Sequence, residues 1–316
     1  MTKHNYKFYI AGHTGLVGRA FVRKLQSDGD SSLLLRTHGE LDLTNQGEVS
    51  NFFSAEKPDF VILAAAKVGG IHANSTYPAE FIYENLMIQS NVIHQSYLHR
   101  VKKLVYLGST CAYPKNALQP MQEKSLLTGP LEPTNEPYAV AKLAGLKMCE
   151  SYNRQYGTSY RTVMPTNLYG IHDNFHPENS HVIPGMMRRI HEAKMTDLPE
   201  VEIWGSGLPK REFLFVDDLV EGCLFLLDYD KDYSPVNIGS QEEVSIRELA
   251  IMMNEVVGYK GRLAFDTSKP DGMPLKKVDT SKMDALGWKA RTPLREGLQK
   301  VYCWFLTNNI SKNIKS

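Results

Sequence analysis

Lys7-Phe8-Tyr9-Ile10-Ala11-Gly12-His13-Thr14-Gly15-Leu16-Val17-Gly18 is the stretch on which the fold turns. Its first five residues form a short, mainly apolar run closed by glycine, which reads as a buried strand. Three glycines at intervals of three follow, leading into a helix expected to reach about Ser27. Glycines at such a turn let the backbone approach a pyrophosphate and let the helix pack on the strand, with the helix amino end facing the anion. A glycine trio by itself also serves any tight strand–helix turn. Here the strand before it and the helix after it supply the context a dinucleotide site requires.

Working outward, residues 32–36 read as a second strand. At its end, where an acidic residue would select NAD, stands Arg36, with His38 two positions on. A cation there suits the extra phosphate of NADP, although a solvated arginine at a strand end has the same appearance. Asp42 and Leu43 lie within reach of the adenine edge. Strand and helix then alternate: a helix at 46–56, a strand at 59–65, a long helix at 77–100 and a strand at 103–107. This β-α-β succession predicts an α/β fold, a Rossmann-type doubly wound parallel sheet.

The strand at 103–107 ends in Gly108-Ser109-Thr110-Cys111-Ala112-Tyr113-Pro114. An apolar strand opening through Gly-Ser presents Ser109 and Cys111 at its carboxyl end, a hydroxyl that can donate to a carbonyl and a thiol that can become a base. Such a cysteine also serves as a small packed residue. Thr134-Asn135-Glu136-Pro137 then opens a helix to about Tyr156, with Thr134 or Asn135 as cap and Pro137 in the first turn. On it Tyr138 and Lys142, four apart, share one face. Lowering a phenol from pKa ~10 to ~7 takes roughly 4 kcal/mol. One cation ~4 Å away at an effective dielectric of ~20 supplies that much, so Lys142 is expected to tune Tyr138 unaided. These four side chains point to chemistry on a ketone.

A strand at 160–164 leads to Pro165-Thr166-Asn167-Leu168-Tyr169-Gly170, and the alternation then loosens. Residues 171–180 read as a polar loop, 181–193 as a helix, 201–204 and 210–216 as strands, and 217–227 as a helix. Shorter elements follow, with a loop at 267–277, a helix at 294–306 and a frayed polar tail at 308–316. The expected division is a dinucleotide domain at 1–170, with segments near 212–240 returning to it, and a smaller α/β substrate-binding lobe formed mainly by 171–316.

A chain of 316 residues has ample core for one large domain or two coupled ones. Its 36 Lys and Arg against 35 Asp and Glu give no hint of a nucleic-acid or membrane partner. No apolar run approaches the ~20 residues that span a bilayer, and the one at 8–10 is too short for a signal peptide. Cys111, Cys149, Cys223 and Cys303 show neither paired nor metal-ligand spacing, so no metal and a reducing, cytoplasmic setting are expected.

Taken together, the glycine turn, the strand-end Ser109 and Tyr138-x-x-x-Lys142 resemble the extended short-chain dehydrogenase/reductase family across most of the chain. The resemblance implies that Tyr138 moves a proton at the oxygen beside the hydride-transfer carbon. Lys142 would bind the cofactor ribose and lower the tyrosine pKa, and Ser109 would orient the carbonyl. Four runs narrow the resemblance: the one at 108–114, Ala64-Ala65-Ala66-Lys67-Val68-Gly69-Gly70-Ile71, Asn179-Ser180-His181-Val182-Ile183-Pro184, and Arg211-Glu212-Phe213-Leu214-Phe215-Val216-Asp217-Asp218. They are similar to those of the bifunctional epimerase-reductases of GDP-4-keto-6-deoxy-D-mannose. The implied reaction is epimerisation at carbons 3 and 5, with Cys111 as base and His181 as acid, followed by NADPH reduction to GDP-L-fucose.

For NADP(H), the resemblance implies contacts from Gly12, Thr14, Gly15, Leu16, Val17 and Gly18, and from Arg36, Asp42 and Leu43. Ala64, Ala65, Leu107 and Gly108 would follow, then Lys142 and His181, with Pro165, Asn167 and Leu168 lining the nicotinamide. Arg189, Trp204, Arg211 and Asp271 would contact the GDP-sugar. Guanidinium forks suit a diphosphate and an indole face suits a base or sugar, although Trp204 also fits a core. Some relatives carry arginines where this chain has Thr14 and His38. A homodimer through the helices at 77–100 and 137–156 is also implied. Two rivals stay open: a reductase or single-site epimerase-reductase for another GDP-4-keto sugar (a 3,6-dideoxy sugar or a heptose), and a non-catalytic NADP-binding sensor.

Overall fold

The computed structural model describes residues 6–29, 32–177, 180–229, 233–269 and 271–308. Asn179 of the histidine-bearing run and the expected tail beyond 308 lie outside the described residues. The first strand, β1 (Phe8–Ala11), leads through the glycine turn into α1 (Leu16–Ser27). There follow β2 (Leu33–Leu34), α2 (Gln46–Glu56), β3 (Phe60–Leu63), the short α3 (Ile71–Thr76), α4 (Pro78–Leu98) and β4 (Lys103–Leu107). Next come α5 (Glu136–Tyr156), β5 (Tyr160–Pro165) and β6 (Asn167–Tyr169). The remainder comprises α6 (Val182–Met195), β7 (Glu200–Trp204), β8 (Lys210–Phe215), α7 (Val216–Leu227) and β9 (Val236–Ile238), then β10 (Glu243–Ser245), α8 (Ile246–Val257), β11 (Arg262–Asp266), β12 (Leu275–Lys276), α9 (Ser281–Leu286) and α10 (Leu294–Thr307).

The main sheet has the order β2-β1-β3-β4-β5-β9, with every pairing parallel. Its strands are apolar at nearly every position because both faces are covered. Phe8 and Ile10 point into one core with Phe21, Leu25, Val216 and Leu219, whereas Tyr9 and Ala11 point into the other with Phe53, Val92 and Leu146. Successive strand residues thus feed opposite layers, and burying each such large side chain stabilises the fold by roughly 1.5–3 kcal/mol. From β1 the chain moves to β2 on one side and β3 on the other. The crevice where a doubly wound sheet binds ligands therefore opens at the carboxyl ends of β1 and β3.

A second, mixed sheet orders β10-β8-β12, with β6 also paired to β8, and β7 pairs β11 beside it. Their own core gathers Ile190, Val201, Phe213, Leu249 and Phe305. Three elements add to or depart from expectation. Residues 167–169, to which the sequence assigns no element, form β6 because β8 offers them a parallel edge, and Leu275–Lys276 forms β12 on β8 within the expected loop. The second strand shrinks to Leu33–Leu34, which leaves Arg36 beyond the ladder.

Glu212 joins the two sheets. Fully buried on β8, its carboxylate accepts from the backbone N–H of Gln241 at 2.7 Å and of Val278 at 3.0 Å. Its carbonyl accepts from Asn167 Nδ2 at 2.9 Å, and burial pushes its pKa up.

Candidate active site

Parallel strands deliver their following loops to one edge, which is where the glycine turn after β1, Ala64 and Ala65 after β3 and Gly108 after β4 lie. Gly12 holds φ +83°, and a Cβ on it would stand 2.7 Å from the Ala65 backbone nitrogen, so the turn presses directly on the loop after β3. On Gly18 a Cβ would meet the Gly12 carbonyl oxygen at 2.1 Å, which leaves α1 packed flat under the turn. Gly15 caps α1 without a side-chain hydrogen bond, so the first N–H groups of the helix face outward from a close-fitting glycine cradle. That combination fits a dinucleotide diphosphate. Thr14 and Ala64 flank the cradle, and the Ala64 N–H is anchored on the Ala11 carbonyl at 3.0 Å. The Leu43 side chain belongs to the core and the Asp42 carboxylate accepts from Thr44, so adenine would meet this segment's edge only.

Past β4, Gly108 admits the Met164 thioether, whose sulfur would lie 2.3 Å from any Cβ. Ser109 then caps a 3₁₀ turn at Thr110–Ala112, its Oγ accepting from the Cys111 N–H at 3.2 Å, and its hydroxyl lies close enough to the Tyr138 phenol to pull the phenol pKa down. The helix bearing Tyr138 comes close because Gly145 sits under the Tyr106 ring, 2.4 Å from its Cζ if a Cβ were added. One turn earlier, buried Lys142 donates from Nζ to the Leu107 carbonyl at 2.8 Å and lies 5.7 Å from the Tyr138 ring centroid.

The electrostatics correct one expectation. Burial, helped by the neighbouring Cys111, pushes the Tyr138 phenol well above its ordinary pKa, and only the Ser109 hydrogen bond pulls the other way. Lys142 does not bring it towards neutrality. Its own ammonium is desolvated and pushed down to about 8. The phenol is therefore held protonated, as a proton donor must be.

Cys111 sits between two donors that the sequence did not single out. Asn135 Nδ2 lies 3.2 Å from its sulfur, and Lys276 Nζ, on β12 and 165 residues away, lies 3.9 Å from it. Of the two expected cap candidates, Thr134 and Asn135, it is Asn135 that occupies the cap position of α5, but its side chain makes no capping bond and turns to the thiol instead. No sequence signal could have found Lys276, since only the β8–β12 pairing brings it there.

His181 is the amino-terminal cap of α6. Its carbonyl accepts from the Gly185 N–H at 3.0 Å, and partial burial lowers the ring pKa although the residue as a whole stays exposed. Among the described residues its ring makes no hydrogen bond, so the structure does not tie it to Cys111, Ser109 or Tyr138.

Of the four predicted sugar-nucleotide contacts, Arg189 and Trp204 come together, with the guanidinium 5.9 Å from the exposed indole. Arg189 is desolvated and its Nε is buried without a partner, a cation ready for an anion. Arg211 donates to the Met273 carbonyl at 2.6 Å and is likewise desolvated. Asp271 is already committed: its two oxygens accept from Ser206 N and Oγ, both at 2.7 Å, which fixes the turn after Trp204. Pro165 ends β5, and Asn167 and Leu168 run along β6 toward the same cleft. Arg36 is paired with Glu56 at 2.6 Å. No cluster of metal-ligand side chains occurs among the described residues, and none of their helices is long and apolar enough to cross a membrane.

Comparisons with known proteins agree with this geometry. Residues 8–239 match the model of the NAD dependent epimerase/dehydratase family. GDP-L-fucose synthase 1 of Arabidopsis thaliana is 59% identical over 98% of this chain and 95% of its own. A GDP-L-fucose synthetase of Naegleria fowleri bound to NADP superposes with a TM-score of 0.92 at 28% identity, covering 98% of this chain and 95% of that one. A GDP-6-OMe-4-keto-L-xylo-heptose reductase of Campylobacter jejuni gives a TM-score of 0.91 at 41% identity, over 98% and 99% of the two chains. With a glycine cradle at the β1–β3 crevice and Ser109, Tyr138 and Lys142 gathered beside it, this chain belongs to the NAD dependent epimerase/dehydratase family.

Proposed function

We propose that this protein is an NADPH-dependent epimerase-reductase converting GDP-4-keto-6-deoxy-D-mannose to GDP-L-fucose. The observation that carries the reading is one strand end with two functions: Ser109 beside the Tyr138 phenol, and two residues on, Cys111 between Asn135 and Lys276. A plain ketoreductase needs the first pair and has no use for the second. The 59% identity to a GDP-L-fucose synthase supports the same sugar.

NADPH, when bound, supplies the hydride. Ser109 and Tyr138 hold the C4 oxygen, which acidifies the hydrogens on carbons 3 and 5. Cys111, as thiolate, takes one of these protons while the C–H electron pair moves into an enolate on that oxygen. Asn135 and Lys276 stabilise the negative sulfur. His181 returns a proton from the opposite face, and its desolvated ring, a stronger acid than ordinary imidazolium, gives that proton up readily. After the second inversion Tyr138 donates its proton to the C4 oxygen. In this reading the main sheet holds the dinucleotide and the lobe formed mainly by 171–316 holds the GDP-sugar. Arg189 and Arg211 would meet the diphosphate and Trp204 the base, and Asp271 would position Trp204.

The protein acts as a cytoplasmic homodimer in this reading. The adjacent helices α4 and α5 expose Tyr83, Leu98, Val140 and Tyr156, and all four cysteines are free thiols. Light scattering on purified protein tests the dimer. The reaction is tested by NMR identification of the product formed from the keto sugar and NADPH in heavy water. Deuterium at both carbons 3 and 5 is expected. Label at one carbon alone, or NADPH oxidation only with a keto-heptose, would instead support the second reading that the heptose reductase neighbour favours.

A further inference from the structure

Arg36 stands two residues beyond β2, where this fold places the side chain that meets the adenosine ribose. Its guanidinium is already engaged. Nη2 donates to Glu56 Oε1 at 2.6 Å, Nη1 donates to the Leu35 carbonyl at 2.9 Å, and the group lies 5.6 Å from the Phe52 ring centroid. The two side chains are 34% and 28% exposed, so water and salt screen their attraction only in part.

The surroundings are acidic. The Glu40 carboxylate accepts from Thr37 N and Oγ1 at 2.7 Å each, bonds that hold its pKa down, and Arg36 and His13 lie close enough to add a little to that lowering. Asp42 faces the exposed His38 at 4.0 Å. Arg36 therefore faces two carboxylates, Glu56 and Glu40, while Asp42 is taken up by Thr44 and His38. A ribose bearing a free 2′-hydroxyl carries no charge into this field. A 2′-phosphate brings about two negative charges and must compete with Glu56 for Arg36.

We propose that Glu56 is a cofactor-specificity residue, holding Arg36 so that the protein prefers NADPH over NADH only weakly. This rests on the reading that the chain binds NADP(H).

Equilibrium titration of the full chain with NADPH and with NADH, by calorimetry without GDP-sugar at 0.15 M salt, tests it. The wild type is expected to bind NADPH less than about tenfold more tightly than NADH. Glu56→Gln should tighten NADPH by about threefold to tenfold and leave NADH within twofold, as release of one half-exposed ion pair allows. Glu56→Asp, which keeps the charge and shortens the reach, should give a smaller gain in the same direction. Adding Arg36→Ala to Glu56→Gln should erase the gain. A wild-type preference above about a hundredfold, or a Glu56→Gln variant whose NADPH affinity stays within twofold of wild type, overturns the inference. Failure to bind either nucleotide would overturn the cofactor reading beneath it, a result distinct from binding both without a Glu56 effect.

Discussion

The side-chain amide of Asn135 donates to the sulfur of Cys111 at 3.2 Å. Asn135 stands immediately before α5, which carries Tyr138 and Lys142, so the start of one helix meets the thiol and its first two turns carry the phenol and the ammonium. Truncating Asn135 to Ala should slow deuterium exchange at carbons 3 and 5 about tenfold, the worth of one hydrogen bond to a charged group. Cys111→Ser should slow it by ~10²–10⁴-fold. Mass spectrometry of the recovered sugar reads both. Equal exchange in Cys111→Ser and wild type would remove the thiol from the mechanism.

Tyr138→Phe should lower NADPH oxidation by ~10²–10⁴-fold and slow solvent exchange into the sugar much less, because the base and the acid of epimerisation remain and Ser109 still holds the C4 oxygen. Loss of both activities in equal measure would instead mean that Ser109 cannot hold the enolate oxygen without the phenol. Unchanged oxidation would show that another group gives the proton.

Lys142, pushed down to about 8 by burial, is charged below that pH and neutral above it. A reductase that uses the ammonium should lose kcat/KM as pH rises through about 8. Replacement by Arg, which stays protonated, should remove that alkaline limb whatever its effect on the maximum rate. A pH–rate profile of the two proteins decides it.

Asp173 is pushed up from 3.8 to about 7 by burial, and its Oδ2 has no hydrogen-bond partner. Between those values the folded state binds the proton more tightly than the unfolded chain, so this group lowers stability as pH rises through the window, and its full cost is present above about 7. Asp173→Asn should therefore raise Tm at pH 8 and leave it nearly unchanged at pH 4, as differential scanning calorimetry would show.

Gly18→Ala places a methyl 2.1 Å from the Gly12 carbonyl, a backbone atom that can yield only by opening the cradle. The expected results are a destabilisation of roughly 1–3 kcal/mol by overpacking and at least a tenfold loss of NADPH affinity, read by thermal melts and titration.

Much of this molecule is local chemistry written along the chain. The apolar run closed by Gly12, Gly15 and Gly18 dictates strand, turn and helix, because only glycine permits the close approaches at Ala65 and under the Gly12 carbonyl. Repetition of strand and helix, with strands too apolar for an exposed face, dictates a parallel sheet, and parallel strands deliver Ser109 to the same edge as the cradle. The spacing of Tyr138 and Lys142 fixes their common face. Tertiary structure alone decided the rest. Lys276 reaches Cys111 because β12 pairs with β8, and Arg36 is held by Glu56 because the end of α2 packs against it. The direction in which Tyr138 titrates depends on how completely it is desolvated, not on the presence of a lysine four residues on. Contacts between distant segments, and the loss of water that accompanies them, are set by packing, which one-dimensional order does not encode position by position.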